Sequence, residues 1–264
     1  MREFNNAMNL PIKVTFDKNV YEFVVHPSKE ARITQQERVA FEMIHQMIRN
    51  KRILPFLSES TLTYEAVAKE QRLKVLAHSK PLIFSHEGTV TTISPNPEIH
   101  PGNHFEDDIY LTGAIEMGFR ILPGRRLGKL VNPAVKKDWY HLSEDRFEAI
   151  SERFSEVVRE IELLGGGYRR YHALITTEEN KHLNIFERVK MFNGSLKQFA
   201  KAISEWSDGD SVALHIAYDH DFFCTNDNAR NAGGDSVFNH RICSLIDQKF
   251  GFKKISPLEL AKMK

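Results

Sequence analysis

Two short apolar runs near opposite ends of the chain each finish on a carboxylate, and these are the residues whose type and placement could do chemistry. Val14-Thr-Phe leads into Asp17, with Asn19 and Val20 close behind, and Phe222-Phe-Cys-Thr-Asn leads into Asp227. In an open α/β sheet, ligands gather beyond the carboxyl ends of the strands. Two strands ending in this way would bring both acids to one edge. Glu65, early in a helix expected from about Thr61, and Asp210, expected to open a helix before the last acidic strand, can join them. Carboxylates brought together repel and raise one another's pKa, so such a cluster normally holds a cation. All-oxygen ligands suit Mg2+ or Mn2+ rather than zinc. A bound ion of that kind can generate hydroxide from water and neutralise phosphoryl oxygens.

Each acid also has a plainer reading. Asp17 and Asp227 could form strand-end Asx turns, which Asp favours locally. Asp210 could be a helix N-cap, and Glu65 could lie on a solvated helix face. The third acid stays open, because Asp208 stands two residues before Asp210 and Asp235, in Gly233-Gly-Asp-Ser, is a further candidate ligand.

The elements that must position these residues follow from periodicity. Lys13 to Phe16 reads as a buried strand. A helix is expected from about Gln36 to Asn50, where Ala40, Met43, Ile44 and Met47 keep the i, i+3, i+4, i+7 spacing. Ile53-Leu-Pro-Phe-Leu is a short, Pro-interrupted segment. Short strands are expected at Pro81–Ser85 and Thr89–Ile93, a helix over 107–118 and a strand over 119–122. Ser143 caps a long helix whose apolar stripe runs from Phe147 to Leu164, and Gly165 stops it. Helices are then expected from Ser195, from Asp210 to Tyr218 and from Asp235 to Phe250. Strands are expected at Phe222–Thr225 and Phe252–Ile255. Strands alternating with helices imply parallel pairing, since parallel strands need crossovers.

Arg120, Arg125, Arg126 and Lys129 cluster around a Pro-Gly turn, and Arg169 and Arg170, with Tyr168 and Tyr171, follow a triple glycine. Basic and aromatic residues on loops suit phosphate contacts and base stacking, although solvated surface charge explains each cluster alone. His215, in an apolar helix, reads as a packed core histidine. Cys224 and Cys243 read as buried thiols rather than a disulfide.

Composition sets the outer bounds. Hydrophobic residues make up 41% and charged residues 27%, ordinary for a soluble globular protein. No apolar stretch approaches the roughly 20 residues of a membrane helix. Met1-Arg-Glu-Phe-Asn-Asn lacks the apolar core of a secretory signal, so a cytoplasmic location is expected. A formal net charge of +1 gives no whole-protein attraction to a polyanion.

The acidic segments, in their order, resemble PIN domains. Val14-Thr-Phe-Asp17-Lys-Asn19-Val20 is similar to the opening strand and turn of that family, and Leu62-Thr-Tyr-Glu65 to its second acidic position. Asp210-Ser-Val-Ala-Leu-His-Ile-Ala217 is similar to the third, and Phe222-Phe-Cys-Thr225-Asn-Asp227 to its Thr-x-Asp strand end. Phe252 to Ala261 resembles the closing strand and Ser-Pro turn.

The resemblance covers about 12–77 and 194–261. It implies a three-layer α/β/α PIN-like domain with a central parallel sheet, formed by residues 1–78 and 194–264, and an inserted helical and loop subdomain at 79–193. It implies a metal-dependent endoribonuclease, of which a toxin or defence-type nuclease is one form. Asp17, Asp210 and Asp227 would ligate Mg2+ or Mn2+, with Glu65 completing the site directly or through water, and a metal-activated water would attack phosphorus in line, leaving a 5′-phosphate and a 3′-hydroxyl. Thr225 would orient a carboxylate or water, and Asn19 would hold the turn or touch substrate.

The implied partner is RNA, with DNA second, alongside a homodimer or an antitoxin-like complex partner and no membrane. The long central stretch departs from compact members and leaves substrate choice open. Two alternatives remain: a non-catalytic PIN-like binding module, and a phosphatase using Asp17 as nucleophile. Against the phosphatase, Asn19 stands where a second Asp would be wanted.

Overall fold

The structure, a computed structural model, describes residues 10–28, 33–65, 67–85, 89–94, 109–126, 135–227 and 236–263. Five strands make one all-parallel sheet: β1 (Ile12–Phe16), β2 (Ile53–Ser58), β5 (Arg120–Leu122), β6 (Phe222–Cys224) and β7 (Lys254–Ile255). Their order is β5-β2-β1-β6-β7. A separate antiparallel hairpin joins β3 (Lys80–Ser85) to β4 (Thr89–Ser94). The period of two along the strands divides the side chains between two cores. Val14, Phe16, Ile53, Leu57, Ile121 and Cys224 face one, with α1 (Lys18–Val25), α2 (Gln35–Arg49), α4 (Ile109–Met117) and α10 (Pro257–Leu260). Phe56, Leu122 and Phe223 face the other, with α5 (Phe147–Leu163), the second half of α8 (Leu196–Ala217) and α9 (His240–Phe250). The chain is thus an α/β protein with helices on both faces of a parallel sheet.

A third apolar cluster lies past the strand ends. The first half of α8, α3 (Arg72–Ala77), α6 (Tyr168–Ile175) and α7 (Ile185–Met191) pack there around Tyr64, Tyr171, Phe199 and Trp206. α8 therefore belongs to two cores. It runs from this outer cluster down one face of the sheet and turns into β6.

Several elements differ from expectation, for local reasons. Two helices were expected around Gly209, but α8 is a single helix. The glycine is there for contact: a Cβ on Gly209 would lie 3.0 Å from the Gly167 Cα, so backbone meets backbone. Asp210 is accordingly inside a helix and opens none. Asp17-Lys18-Asn19 reads as a turn, yet Asp17 is the N-cap of α1, its side chain accepting the Lys18 N–H. The Pro-interrupted segment is a full strand, because β5 pairs only with Phe56–Ser58 and leaves the β5 side of β2 open at Pro55. From Thr61 to Glu65 the chain makes a single π turn. Residues 79–193, expected as an insertion, supply β5, α4 and α5 to the central layers. α6 and α7 are helices that apolar spacing alone did not mark out.

Thr15 points from β1 into the second core, and its hydroxyl bridges two histidines, 2.8 Å from His220 Nδ1 and 3.1 Å from His215 Nδ1. One hydroxyl donates one hydrogen, so at least one of the two rings must donate to it. Burial depresses both rings, His215 to about 3 and His220 to about 2, the latter helped by His215, His141 and Lys13. Their folded pKa values lie below the unfolded value, so the unfolded chain binds more protons and stability falls as pH drops below about 6.5. Each histidine should contribute about 1.4 kcal/mol per pH unit to that fall. Urea unfolding between pH 6 and pH 4 is expected to be less pH-dependent by about that slope in His220→Gln. An unchanged slope would mean that His220 is not held neutral.

Candidate metal centre at the strand switch point

Strand order reverses between β1 and β6, because the chain builds outward from β1 to β2 and β5 on one side and to β6 and β7 on the other. In open parallel sheets a crevice forms at such a switch point, beyond the carboxyl ends of the strands. Asp17 follows β1 and Thr225 follows β6 at this place. The Thr225 hydroxyl donates to Asp17 Oδ2 at 2.6 Å. The Asn19 amide donates to the same oxygen at 2.8 Å, and the Lys18 N–H to Oδ1 at 2.6 Å. Asn19 Oδ1 in turn accepts the Asn226 N–H, and Thr225 Oγ1 accepts the Asp227 N–H at 2.9 Å. Asp17, Asn19, Thr225 and Asp227 thus form one hydrogen-bonded unit across the two strand ends.

Asp17 is 6% exposed. Its carboxyl is raised to about 6, first by burial and then by the Asp227 charge, while the bonds from Thr225, Lys18 and Asn19 pull the other way. Glu205, on α8, faces the same field. Burial raises its pKa first, and the Asp227 charge adds to that; the Val237 N–H, the Ser236 hydroxyl and the Arg170 charge oppose it.

Asp210 is brought elsewhere. It is 1% exposed, and its Oδ1 accepts from Arg126 Nε at 3.2 Å and Nη2 at 2.5 Å. Arg126 Nη1 reaches Glu162 at 2.5 Å, and the guanidinium lies within 6.0 Å of the Phe154, Tyr168 and Trp206 ring centres. Arg125 is buried and stacks 4.3 Å from the Phe147 ring centre. Arg120 is half-buried and donates to the Phe119 carbonyl. Arg169 is exposed and donates to the Glu162 carbonyl. The Glu65 side chain, Lys129 and Asp235 lie outside the described residues. Asp208, the other candidate for the third acid, is half-buried on α8.

Two buried acids on this edge were not singled out from sequence. Glu59 directly follows β2, the same strand-then-acid signal that marks Asp17. Its oxygens accept from Tyr140 Oη at 2.6 Å and from the Gly124 N–H at 2.7 Å. Glu205 shares the spacing of Ala202, Gly209 and Val212, which places an acid on the buried stripe of α8.

Among the described residues, no three histidine, cysteine or carboxylate side chains group closely enough to hold a metal ion. The donor chemistry nevertheless fits Mg2+ or Mn2+. The switch point offers oxygen ligands only, and Mg2+ binds through one or two carboxylates while keeping several waters. Both cysteines are free thiols, Cys224 buried and Cys243 half-buried. No helix among the described residues is long and apolar enough to cross a membrane.

Comparison of the chain with family models, with curated proteins and with solved structures gives no match in any of the three.

Proposed function

We propose that the protein is a Mg2+- or Mn2+-dependent endoribonuclease of PIN-like architecture, with its centre at Asp17 and Asp227. The observation that carries this reading is the buried Thr225 hydroxyl on the buried Asp17, with Asp227 two residues further on, at the switch point of a parallel sheet. A carboxyl raised first by burial and then by the charge of a second acid would be relieved by a cation bound between them. The PIN resemblance of the segments around Asp17 and Asp227 supports the same reading and favours RNA as substrate.

On this reading Asp17 and Asp227 hold the ion. When bound, it supplies activation of water and neutralisation of a phosphoryl oxygen. Thr225 and Asn19 fix the orientation of the Asp17 carboxylate, so no reorganisation is needed as charge develops. Arg170, beside Glu205, and the exposed Arg169 offer positive charge to a phosphate backbone. Asp210 and Arg126 act as a structural ion pair beside the site.

The test is incubation with labelled single-stranded RNA and DNA in Mn2+, Mg2+ or EDTA, beside Asp227→Asn. Losing an outer partner of a metal ligand costs 10–100-fold, so losing a ligand itself should cost more than about 100-fold. Cleavage in metal, none in EDTA and that loss in the variant are expected. Binding without cleavage under every metal condition would make the protein a binding module. Cleavage that survives Asp227→Asn would place the chemistry elsewhere.

A further inference from the structure

Asp227 stands on one foot of a chain segment whose other foot is Ser236 to Phe238, and a single side chain holds both. Lys254, on β7, reaches the Asp227 carbonyl at 3.1 Å and the Phe238 carbonyl at 3.3 Å with its ammonium. The same ammonium lies 5.8 Å from the centre of the Phe238 ring. Lys254 is half-buried and pairs in register with Phe223 of β6, so the sheet fixes its backbone. The second foot is held independently. Glu205, 3% exposed, accepts the Val237 N–H at 2.5 Å and the Ser236 hydroxyl, and Cys243 Sγ lies 3.3 Å from the Val237 carbonyl.

An ammonium has three donors and no acceptor, so it suits two carbonyls brought close together. Charge-assisted bonds of this kind are roughly twice as strong as neutral ones. A lysine at this place also carries an electrostatic cost, because it sets a positive charge on the residue that would receive a cation. A purely electrostatic reading would therefore have Lys254 weaken metal binding. A clamp would have it strengthen binding, by holding Asp227 where Asp17 is.

We infer that Lys254, acting with Glu205, is a positioning residue that sets Asp227 for divalent-cation binding. This rests on the reading that Asp17 and Asp227 hold Mg2+ or Mn2+. Removal of the ammonium frees the Asp227 carbonyl from the Phe238 foot and leaves Asp227 less firmly held beside Asp17.

Mn2+ alone is the probe, titrated against thermal unfolding and by calorimetry for wild type, Lys254→Met and Lys254→Arg. Partners outside the ligand shell change metal affinity by 10–100-fold, so the Met variant should bind Mn2+ about tenfold more weakly. Arg keeps the charge and the donors and should recover most of that loss. Equal or tighter Mn2+ binding by the Met variant overturns the inference, whatever its stability in EDTA. If Lys254→Met does not fold, Ser236→Ala reads the other foot, where a severalfold weaker Mn2+ affinity is expected and an unchanged one overturns the inference. If wild type shows no Mn2+ response, the metal-centre reading fails and this one with it. If wild type responds and the variants match it, only the clamp is wrong.

Discussion

Asp17→Asn is expected to remove metal-dependent cleavage and, in the same step, to make the metal-free protein more stable. The carboxyl is held at about 6 in the folded chain against an ordinary 3.8. Its folded pKa is raised, so ionising it opposes folding as pH climbs through that interval, and the full cost is present at neutral pH. At about 1.4 kcal/mol per pH unit, that cost is about 3 kcal/mol, with little solvent screening at so buried a site. An amide carries no charge. It accepts fewer of the bonds now made by Thr225, Asn19 and Lys18, which leaves a net gain of about 1–2 kcal/mol. Urea unfolding in EDTA at neutral pH should show the gain, and below about pH 4 it should vanish because wild type is then neutral too. Added Mn2+ reverses the ranking. At a hundred times its dissociation constant it should stabilise wild type by about 2.7 kcal/mol and the variant hardly at all. A variant less stable than wild type in EDTA at neutral pH would mean that Asp17 is an ordinary cap.

The second large effect is at Arg126. Arg126→Met is expected to cost about 3–5 kcal/mol, because it leaves the Asp210 carboxylate buried without its guanidinium. The Asp210 side chain is 2% exposed and that of Glu162 29%, so Glu162 can turn to water and Asp210 cannot. The loss should therefore come mainly from Asp210, and Arg126→Met with Asp210→Leu should recover much of it. Urea midpoints for the two single variants and the double variant give the coupling directly. A loss below about 1 kcal/mol in Arg126→Met would assign the pair the small value usual for exposed ion pairs.

The strand ends were legible in the sequence because each announces itself twice, by an apolar run and by the acid that closes it. Asp17, Asp227 and Thr225 were found in that way, and Glu59 could have been. α2 was legible from its stripe, and Thr34 and Glu37 confirm its start with a reciprocal capping box. What the sequence hid depends on contacts between distant segments. Gly209 looks like a helix break until Gly167, far away in the chain, is seen against it. Arg126 looks like a solvated cation on a turn, but three rings and two acids from α5, α6 and α8 surround it. The edge strand β5 has three residues, too few for a period of two to mark it as part of the main sheet. Glu205 is one acid in a helix that also carries Asp208 and Asp210, and only the packing of α8 tells which of them meets the Val237 N–H.

α8 has 22 residues and β1 has five. At about 1.5 Å per helical residue and 3.3 Å per strand residue, that is about 33 Å against about 17 Å. The helix covers the sheet with one half and overhangs it with the other, and the overhang forms a wall about 16 Å high beside the strand ends. Glu205 lies near the foot of that wall, and α3, α6 and α7 are built against its upper part. The height of that wall is therefore a property of helix length rather than of any loop. A chain that kept Asp17 and Asp227 but shortened α8 by about three turns would present them on an open shelf.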